Sequence, residues 1–86
     1  MSEREAAIMH IVSMNSIMGR GATLGIIWRM LWLRDNTGQR IPVERPGPYV
    51  ERVQTELDQM VDAGHLVHFP AGKDHDRDFS RYAIRR

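Results

Sequence analysis

The hydrophobic period changes once within residues 48–84, and this change constrains the fold more than any other feature of the chain. Val50, Val53 and Leu57 recur at the three- and four-residue spacing of one helix face, which predicts an amphipathic helix over residues 49–63. The proline that precedes this run suits a first helical turn, where a missing N–H group costs no hydrogen bond. The run therefore begins as a helix that must bury one face.

A single glycine separates this helix from the next predicted elements. Gly64 is placed to end the helix, because the residue after a helix often needs a positive φ, which glycine adopts without a steric clash. After Gly64 the apolar residues recur at every second position, so residues 65–69 and 79–84 are predicted to be the strands of a hairpin. Residues 70–78 contain glycine and aspartates and are predicted to be its polar loop.

Two further helices are predicted upstream. Ser2 and Glu5 have the spacing of a capping box, which predicts a helix over residues 3–18 that ends at two closely spaced glycines. Thr23 is placed as the N-cap of a second helix over residues 24–35. Apolar side chains cover most of the circumference of this second helix, so we expect it to be the central helix of the fold.

Residues 39–48 interrupt the helical pattern with three prolines. Proline removes a backbone donor and restricts the residue before it, so this segment has no room for more than one helical turn. We predict that Arg40–Val43 is a short edge strand or extended segment, followed by a tight Pro-Gly-Pro turn.

The helix, glycine and hairpin resemble the second half of a winged-helix DNA-binding domain. The residues that carry this resemblance are Val53, Leu57, Val61, Gly64, Leu66, Tyr82 and Ile84. It implies an α+β, mainly α-helical fold, with an N-terminal helix, a central helix, a recognition helix at 49–63 and a two-stranded β-hairpin as the wing. The family ordinarily has a short second helix where residues 39–48 lie, so this segment departs from its pattern.

The resemblance also implies a domain organisation. Residues 1–86 are expected to form a single winged-helix domain. Its core is expected at 22–86, preceded by the N-terminal helix within 1–18.

By the same resemblance, the chain is expected to be a small regulator of transcription that binds double-stranded DNA. The candidate nucleic-acid contacts are Arg45, Arg52, Thr55, Gln59, Lys73, Arg77, Arg81 and Arg85. Arg52, Thr55 and Gln59 lie on the predicted helix face opposite its apolar side, where such side chains can bind base edges in a major groove. Lys73 and Arg77, in the predicted wing, are expected to contact phosphates or the minor groove.

The distribution of charge supports an alternative from another class. The chain has a formal net charge of +1, but residues 49–64 contain one base and four acids. The predicted recognition helix is therefore the most acidic segment, whereas DNA phosphates attract bases. The alternative is a winged helix that binds a protein, such as an accessory protein of a phage or mobile element that inhibits or adapts a larger host complex.

The N-terminal helix has more apolar side chains than one face requires, and several are methionines, which suit adaptable binding surfaces. Small DNA-binding domains often dimerise to match two half-sites. We therefore expect a homodimer whose interface includes Ile8, Ile11, Met14 and Met18.

Other classes of function have little support in the sequence. There is no cysteine, and His65 and His68 are three residues apart on a predicted strand, so they point to opposite faces and do not chelate one metal ion. No nucleophile and base occur in a recognisable motif. We expect no enzymatic activity, no cofactor and no metal site. Without a signal peptide, and with an apolar run at 24–33 that Arg29 interrupts, the chain is expected to be cytoplasmic and not bound to a membrane.

Overall fold

Three helices and a three-stranded antiparallel sheet make up the fold in a computed structural model, which describes residues 1–72 and 77–86. In chain order the elements are α1 (Glu3–Met14), β1 (Ala22–Thr23), α2 (Leu24–Asp35), α3 (Gly47–Asp62), β2 (Leu66–Phe69), a 3₁₀ helix (Arg77–Phe79) and β3 (Arg81–Ile84). The predicted α+β, mainly α-helical class is confirmed. None of the described helices combines the length and the apolar character needed to cross a bilayer.

The first helix, α1, is shorter than predicted. Its capping box forms as expected, because Ser2 Oγ accepts a hydrogen bond from the Glu5 N–H at 3.1 Å and Glu5 Oε1 accepts one from the Ser2 N–H at 3.0 Å. The predicted end at residue 18 is wrong, since the helix ends at Met14. Asn15 turns its side-chain amide back onto the last turn, and the backbone becomes left-handed at Met18, where φ is 52°.

A strand that was not predicted from the sequence precedes α2. Ala22 and Thr23 pair with Tyr82 and Arg81, so β3 is the central strand in the order β1-β3-β2. Gly21 permits this pairing, because its φ is +86° and a Cβ atom at this position would lie 2.5 Å from the Tyr82 carbonyl oxygen. The Thr23 side chain also caps α2 as predicted, accepting a hydrogen bond from a first-turn N–H at 3.3 Å.

The segment 36–46 joins α2 to α3 without a helix or strand. Of the two forms predicted for Arg40–Val43, an edge strand or an extended segment, the edge strand is therefore absent. The described sheet consists of β1, β3 and β2, and this segment pairs with none of these strands. Trp32 Nε1 instead donates a hydrogen bond to the Arg40 carbonyl at 3.1 Å, which holds the segment against α2. The next helix begins at Gly47, two residues earlier than predicted, and has a proline in its first turn.

The core lies between the three helices and one face of the sheet. It consists of Ile8, Val12, Ala22, Leu24, Ile27, Trp28, Leu31, Val50, Val53, Leu57, Met60, Leu66 and Tyr82. Leu66 and Tyr82 are buried, and Ile84 is partly buried against the same cluster. The inner face of the hairpin therefore packs against the helices. Burial of one such side chain contributes about 1.5–3 kcal/mol to the free energy of unfolding.

Candidate macromolecular interface

The third helix, α3, has one buried face and one exposed face. Val50, Val53, Leu57 and Met60 are buried in the core. The exposed side consists of Glu51, Arg52, Thr55, Asp58, Gln59 and Asp62, and we call these six residues the α3 outer face. Because the side chains of this face do not pack into the core, they are available to another molecule.

The α3 outer face is acidic. It contains three carboxylates and one guanidinium group, which gives a formal charge of −2. Glu51 and Asp62 make no ion pair within the part of the chain that the structure describes. Asp58 accepts a hydrogen bond from the Tyr82 hydroxyl at 3.0 Å and remains exposed. This face therefore attracts cationic groups and repels phosphates.

At the edge of this face, Arg4 reaches from α1 to carboxylates on the other two helices. Its guanidinium donates hydrogen bonds to Asp35 at 2.7 and 2.8 Å and to Glu56 at 2.8 and 3.1 Å. The hydrogen bond to Glu56 is the main cause that raises the pKa of Arg4. Burial alone would raise the pKa of Asp35, but hydrogen bonds from Arg4 and Tyr49 outweigh it and lower that pKa. Glu56 thus belongs to this ion-pair cluster and not to the α3 outer face.

An open cleft of about 800 Å³, which we call the entry cleft, adjoins the N-terminal end of the α3 outer face. Trp32 and Tyr49 meet edge to face in it, with ring centroids 5.1 Å apart and planes at 80°. The Arg52 guanidinium lies 5.7 Å from the centroid of the Tyr49 ring. Burial, followed by the hydrogen bond to Asp35, raises the pKa of Tyr49 to about 12, and the Tyr49 hydroxyl donates to Asp35 Oδ2 at 2.6 Å. Arg52 belongs to both the cleft and the outer face, which makes them one continuous surface.

Three of the eight predicted nucleic-acid contacts lie on this surface. Arg52, Thr55 and Gln59 lie on the α3 outer face. Arg45 forms an ion pair with Asp78 at 2.9 Å, so its charge is already compensated within the chain. Lys73 lies outside the described residues, as does the side chain of Arg77.

Arg81 in β3 and Arg85 just after it lie on the far side of the sheet. Tyr82 faces α3, because its hydroxyl donates to Asp58 and its ring stacks on His68 with centroids 4.6 Å apart. Strand side chains alternate between faces, so Arg81 points the other way. Its guanidinium lies 5.8 Å from the centroid of an aromatic ring of β2, and Arg85 lines a groove on that same side. The structure therefore separates these two arginines from the α3 outer face.

The residues predicted for a dimer interface have different surroundings. Ile8 is fully buried against the core of its own chain, so its assignment to a dimer interface is corrected. It lies on the side of α1 that covers the other helices and has no surface left for a second copy. Ile11 is partly buried against the core. Met14 and Met18 are 71% and 88% exposed.

Sequence patterns predicted neither the Arg4 cluster nor the entry cleft. Trp32 lies near the C-terminal end of α2, and Tyr49 lies in the first turn of α3. The available signal was the placement of these two aromatic residues on either side of a proline-rich segment, which brings the ends of consecutive helices together. No sequence pattern indicated that Arg4 pairs with Asp35 and Glu56, because these two residues lie on other helices.

No protein-family model, curated protein or solved structure matches this chain. Within the described residues, no group of three or more histidine, aspartate or glutamate side chains is arranged to hold a metal ion. The α3 outer face and the entry cleft together form the candidate functional site.

Proposed function

We propose that the protein is a winged-helix module that binds another protein through the α3 outer face and the entry cleft. The observation that carries this proposal is the separation of charge. The outer face of α3 has a formal charge of −2, and Arg81 and Arg85 lie on the opposite side of the sheet. The partner surface is therefore expected to be rich in lysine or arginine.

The order of elements supports the winged-helix part of the proposal. Two consecutive helices, α2 and α3, are followed by an antiparallel hairpin whose inner face packs on α3. In this interpretation, α2 takes the place of the short helix expected near residues 39–48. The connection at 36–46 is longer than the 3–4 residues that join the helices of a typical helix-turn-helix.

Electrostatics favours a protein partner over a duplex. DNA binding relies on basic side chains that neutralise phosphates, whereas carboxylates at positions 51, 58 and 62 would face them. Trp, Tyr and Arg are the residue types that contribute most often to strong protein–protein contacts, and Trp32, Tyr49 and Arg52 meet at the entry cleft. A cationic partner that places an apolar side chain in this cleft would use both parts of the surface.

Site-specific photo-crosslinking tests the proposal. A photoreactive amino acid replaces Thr55 on the outer face or, as the control, Thr37 just beyond the C-terminal end of α2; both residues are exposed. In extract of the source cells treated with nuclease, the probe at 55 is expected to form a discrete protein adduct and the probe at 37 is not. The double substitution Glu51→Lys and Asp62→Lys should abolish that adduct, because it reverses the charge of the outer face. Adducts that disappear with nuclease would contradict a protein partner.

DNA binding with a role in transcription is the second candidate. It is favoured by Arg52, Thr55 and Gln59, which lie on one exposed helix face and include side chains that can bind base edges. In a salt titration with duplex DNA, this function requires a dissociation constant below about 100 µM at low salt and a steep loss of affinity with added salt. Arg52→Ala should then weaken binding more than Arg40→Ala. The protein-binding proposal requires the opposite result, with duplex affinity weaker than about 100 µM.

A further inference from the structure

A second surface lies on the side of the sheet that faces away from α3. An open groove of about 740 Å³ runs between the C-terminal end of α1 and the outer side of the hairpin. Ser13 and Ser16 border it on one side and Val67, Phe69 and Ala83 on the other. We call this the sheet groove.

The floor of the sheet groove is apolar. Val67 and Ala83 are direct cross-strand partners on it, and the side chain of Phe69 is 42% exposed. Apolar side chains that share one region of the surface mark a binding site more often than single exposed ones do.

The rim of the sheet groove is basic. Arg85 and Arg86 line it, and Arg81 lies over Phe69 with its guanidinium 5.8 Å from the ring centroid. No acidic side chain is among the described residues that line the groove, and none of these three arginines is ion-paired within the described part of the chain. An occupant with carboxylates at its edges would compensate charges that this chain leaves uncompensated.

We propose that the sheet groove binds an acidic, amphipathic segment of a partner protein. Apolar side chains of that segment would cover Val67, Phe69 and Ala83, and its aspartates or glutamates would pair with Arg81 and Arg85. This surface is distinct from the α3 outer face and has the opposite charge. The two surfaces would therefore select partners of opposite character.

Charge and shape disfavour two other occupants. A second copy placed with the same groove against the first would bring its arginines against Arg81 and Arg85, and like charges in contact are destabilising. A second copy's α3 outer face has suitable charge but, having only charged, threonine and glutamine side chains, cannot fill an apolar floor. The arginines of the rim could pair with the phosphates of a nucleic acid. The apolar side chains of Val67 and Ala83, however, can form no hydrogen bond with those phosphates.

The test uses a defined probe. A short fluorescein-labelled peptide carries leucine at the i, i+3, i+4 and i+7 positions of a helix and glutamate elsewhere, and a matched peptide carries lysine in place of glutamate. Fluorescence anisotropy with the full chain should show binding of the glutamate peptide and not of the lysine peptide. Arg85→Glu should weaken binding at least about tenfold, because it places like charges together. Arg40→Glu, an exposed arginine of the segment 36–46, is the matched control and should leave the affinity unchanged.

Three results would overturn the proposal. The first is no binding of the glutamate peptide, or equal binding to the wild-type and Arg85→Glu chains. The second is binding of single-stranded DNA that Arg85→Glu abolishes while the glutamate peptide does not compete. The third is a light-scattering mass of twice the 10.0 kDa of the chain that falls to the monomer value in Phe69→Glu, because a second copy would then cover the groove. A Glu51→Lys variant that keeps peptide affinity separates this test from that of the α3 outer face.

Discussion

Arg4 connects all three helices, and it does so with one guanidinium group. Without it, the carboxylates of Asp35 and Glu56 would lie near each other with no cation between them. We expect Arg4→Ala to lower the free energy of unfolding by about 1–2 kcal/mol, a value reduced by solvent screening because the side chain is partly exposed. Arg34→Ala is the control, since Arg34 reaches Asp35 only at 3.7 Å and is more exposed; it should cost less than about 0.5 kcal/mol in urea denaturation. Equal losses for the two variants would contradict the role given to Arg4.

The imidazole of His68 has a buried nitrogen, Nε2. This atom has no hydrogen-bond partner among residues 1–72 and 77–86, although the ring stacks on Tyr82 with an interplanar angle of 16°. An unsatisfied buried polar atom is destabilising, so His68→Phe should keep the stacking and raise the free energy of unfolding by up to about 1 kcal/mol. His68→Ala should lower it by about 1 kcal/mol or more, because the aromatic contact is lost. If thermal denaturation shows that Phe destabilises the chain as much as Ala does, Nε2 is satisfied in solution.

At the scale of elements, the shortest strand depends on a glycine. Gly21 and Gly38 both have φ of +86°, but a Cβ atom at 21 would lie 2.5 Å from the Tyr82 carbonyl oxygen, whereas one at 38 would meet nothing within 4 Å. Gly38→Ala should therefore cost only the backbone strain of about 1 kcal/mol. Gly21→Ala adds a clash with β3 and should cost about 3 kcal/mol or more, or prevent folding. Chemical denaturation of both variants measures the difference, and similar values would contradict the close approach of Gly21 to β3.

Elements defined by local signals were predicted well from the sequence. Thr23 caps α2, the capping box at Ser2 begins α1, and Gly64 follows α3 with φ of +86°. Each of these depends on residues a few positions apart. The strand at Ala22–Thr23 could not be predicted in this way, because two residues have no period and their pairing partners lie in the last strand of the chain.

The candidate site was predicted only in part, for a related reason. Helical periodicity was sufficient to place Arg52, Thr55 and Gln59 on one exposed face. It did not reveal that Arg45 pairs with Asp78, a contact between segments far apart in sequence. Ion pairs between side chains on different elements follow no fixed spacing in the sequence. Which charged side chains remain unpaired can therefore be determined only from the folded structure.

For the molecule as a whole, the two tyrosines link folding to alkaline pH. Burial is the first cause that raises the pKa of Tyr82 above its ordinary value of 10.0, and the neighbouring Asp58 adds to it. Burial likewise raises the pKa of Tyr49, to about 12. A raised pKa in the folded state means that the stabilisation is fully present below pH 10 and is lost as the pH rises, since the unfolded chain releases its tyrosine protons first.

We therefore expect the free energy of unfolding to fall above about pH 10. The fall should be less steep in Tyr82→Phe and in Tyr49→Phe, and least steep in the double variant, because phenylalanine has no proton to release. Urea denaturation at a series of pH values measures these slopes, with Thr37→Ala as a control that should match the wild-type chain. Parallel curves for the wild-type chain and the three tyrosine variants would show that these hydroxyls do not titrate differently on unfolding.

The two tryptophans give this molecule a pair of internal reporters. Trp28 Nε1 donates to Asp78, in the 3₁₀ helix before β3, at 3.2 Å, whereas Trp32 Nε1 donates to the Arg40 carbonyl, in the segment before α3, at 3.1 Å. The chain has no other tryptophan, so its proton NMR spectrum should contain two indole N–H resonances. One reports on the contact of Trp28 with Asp78 and the other on the contact of Trp32 with Arg40. A molecule that enters the cleft beside Tyr49 should shift the Trp32 signal first, and one that displaces the hairpin should shift the Trp28 signal. The place of binding can thus be determined in solution without any label.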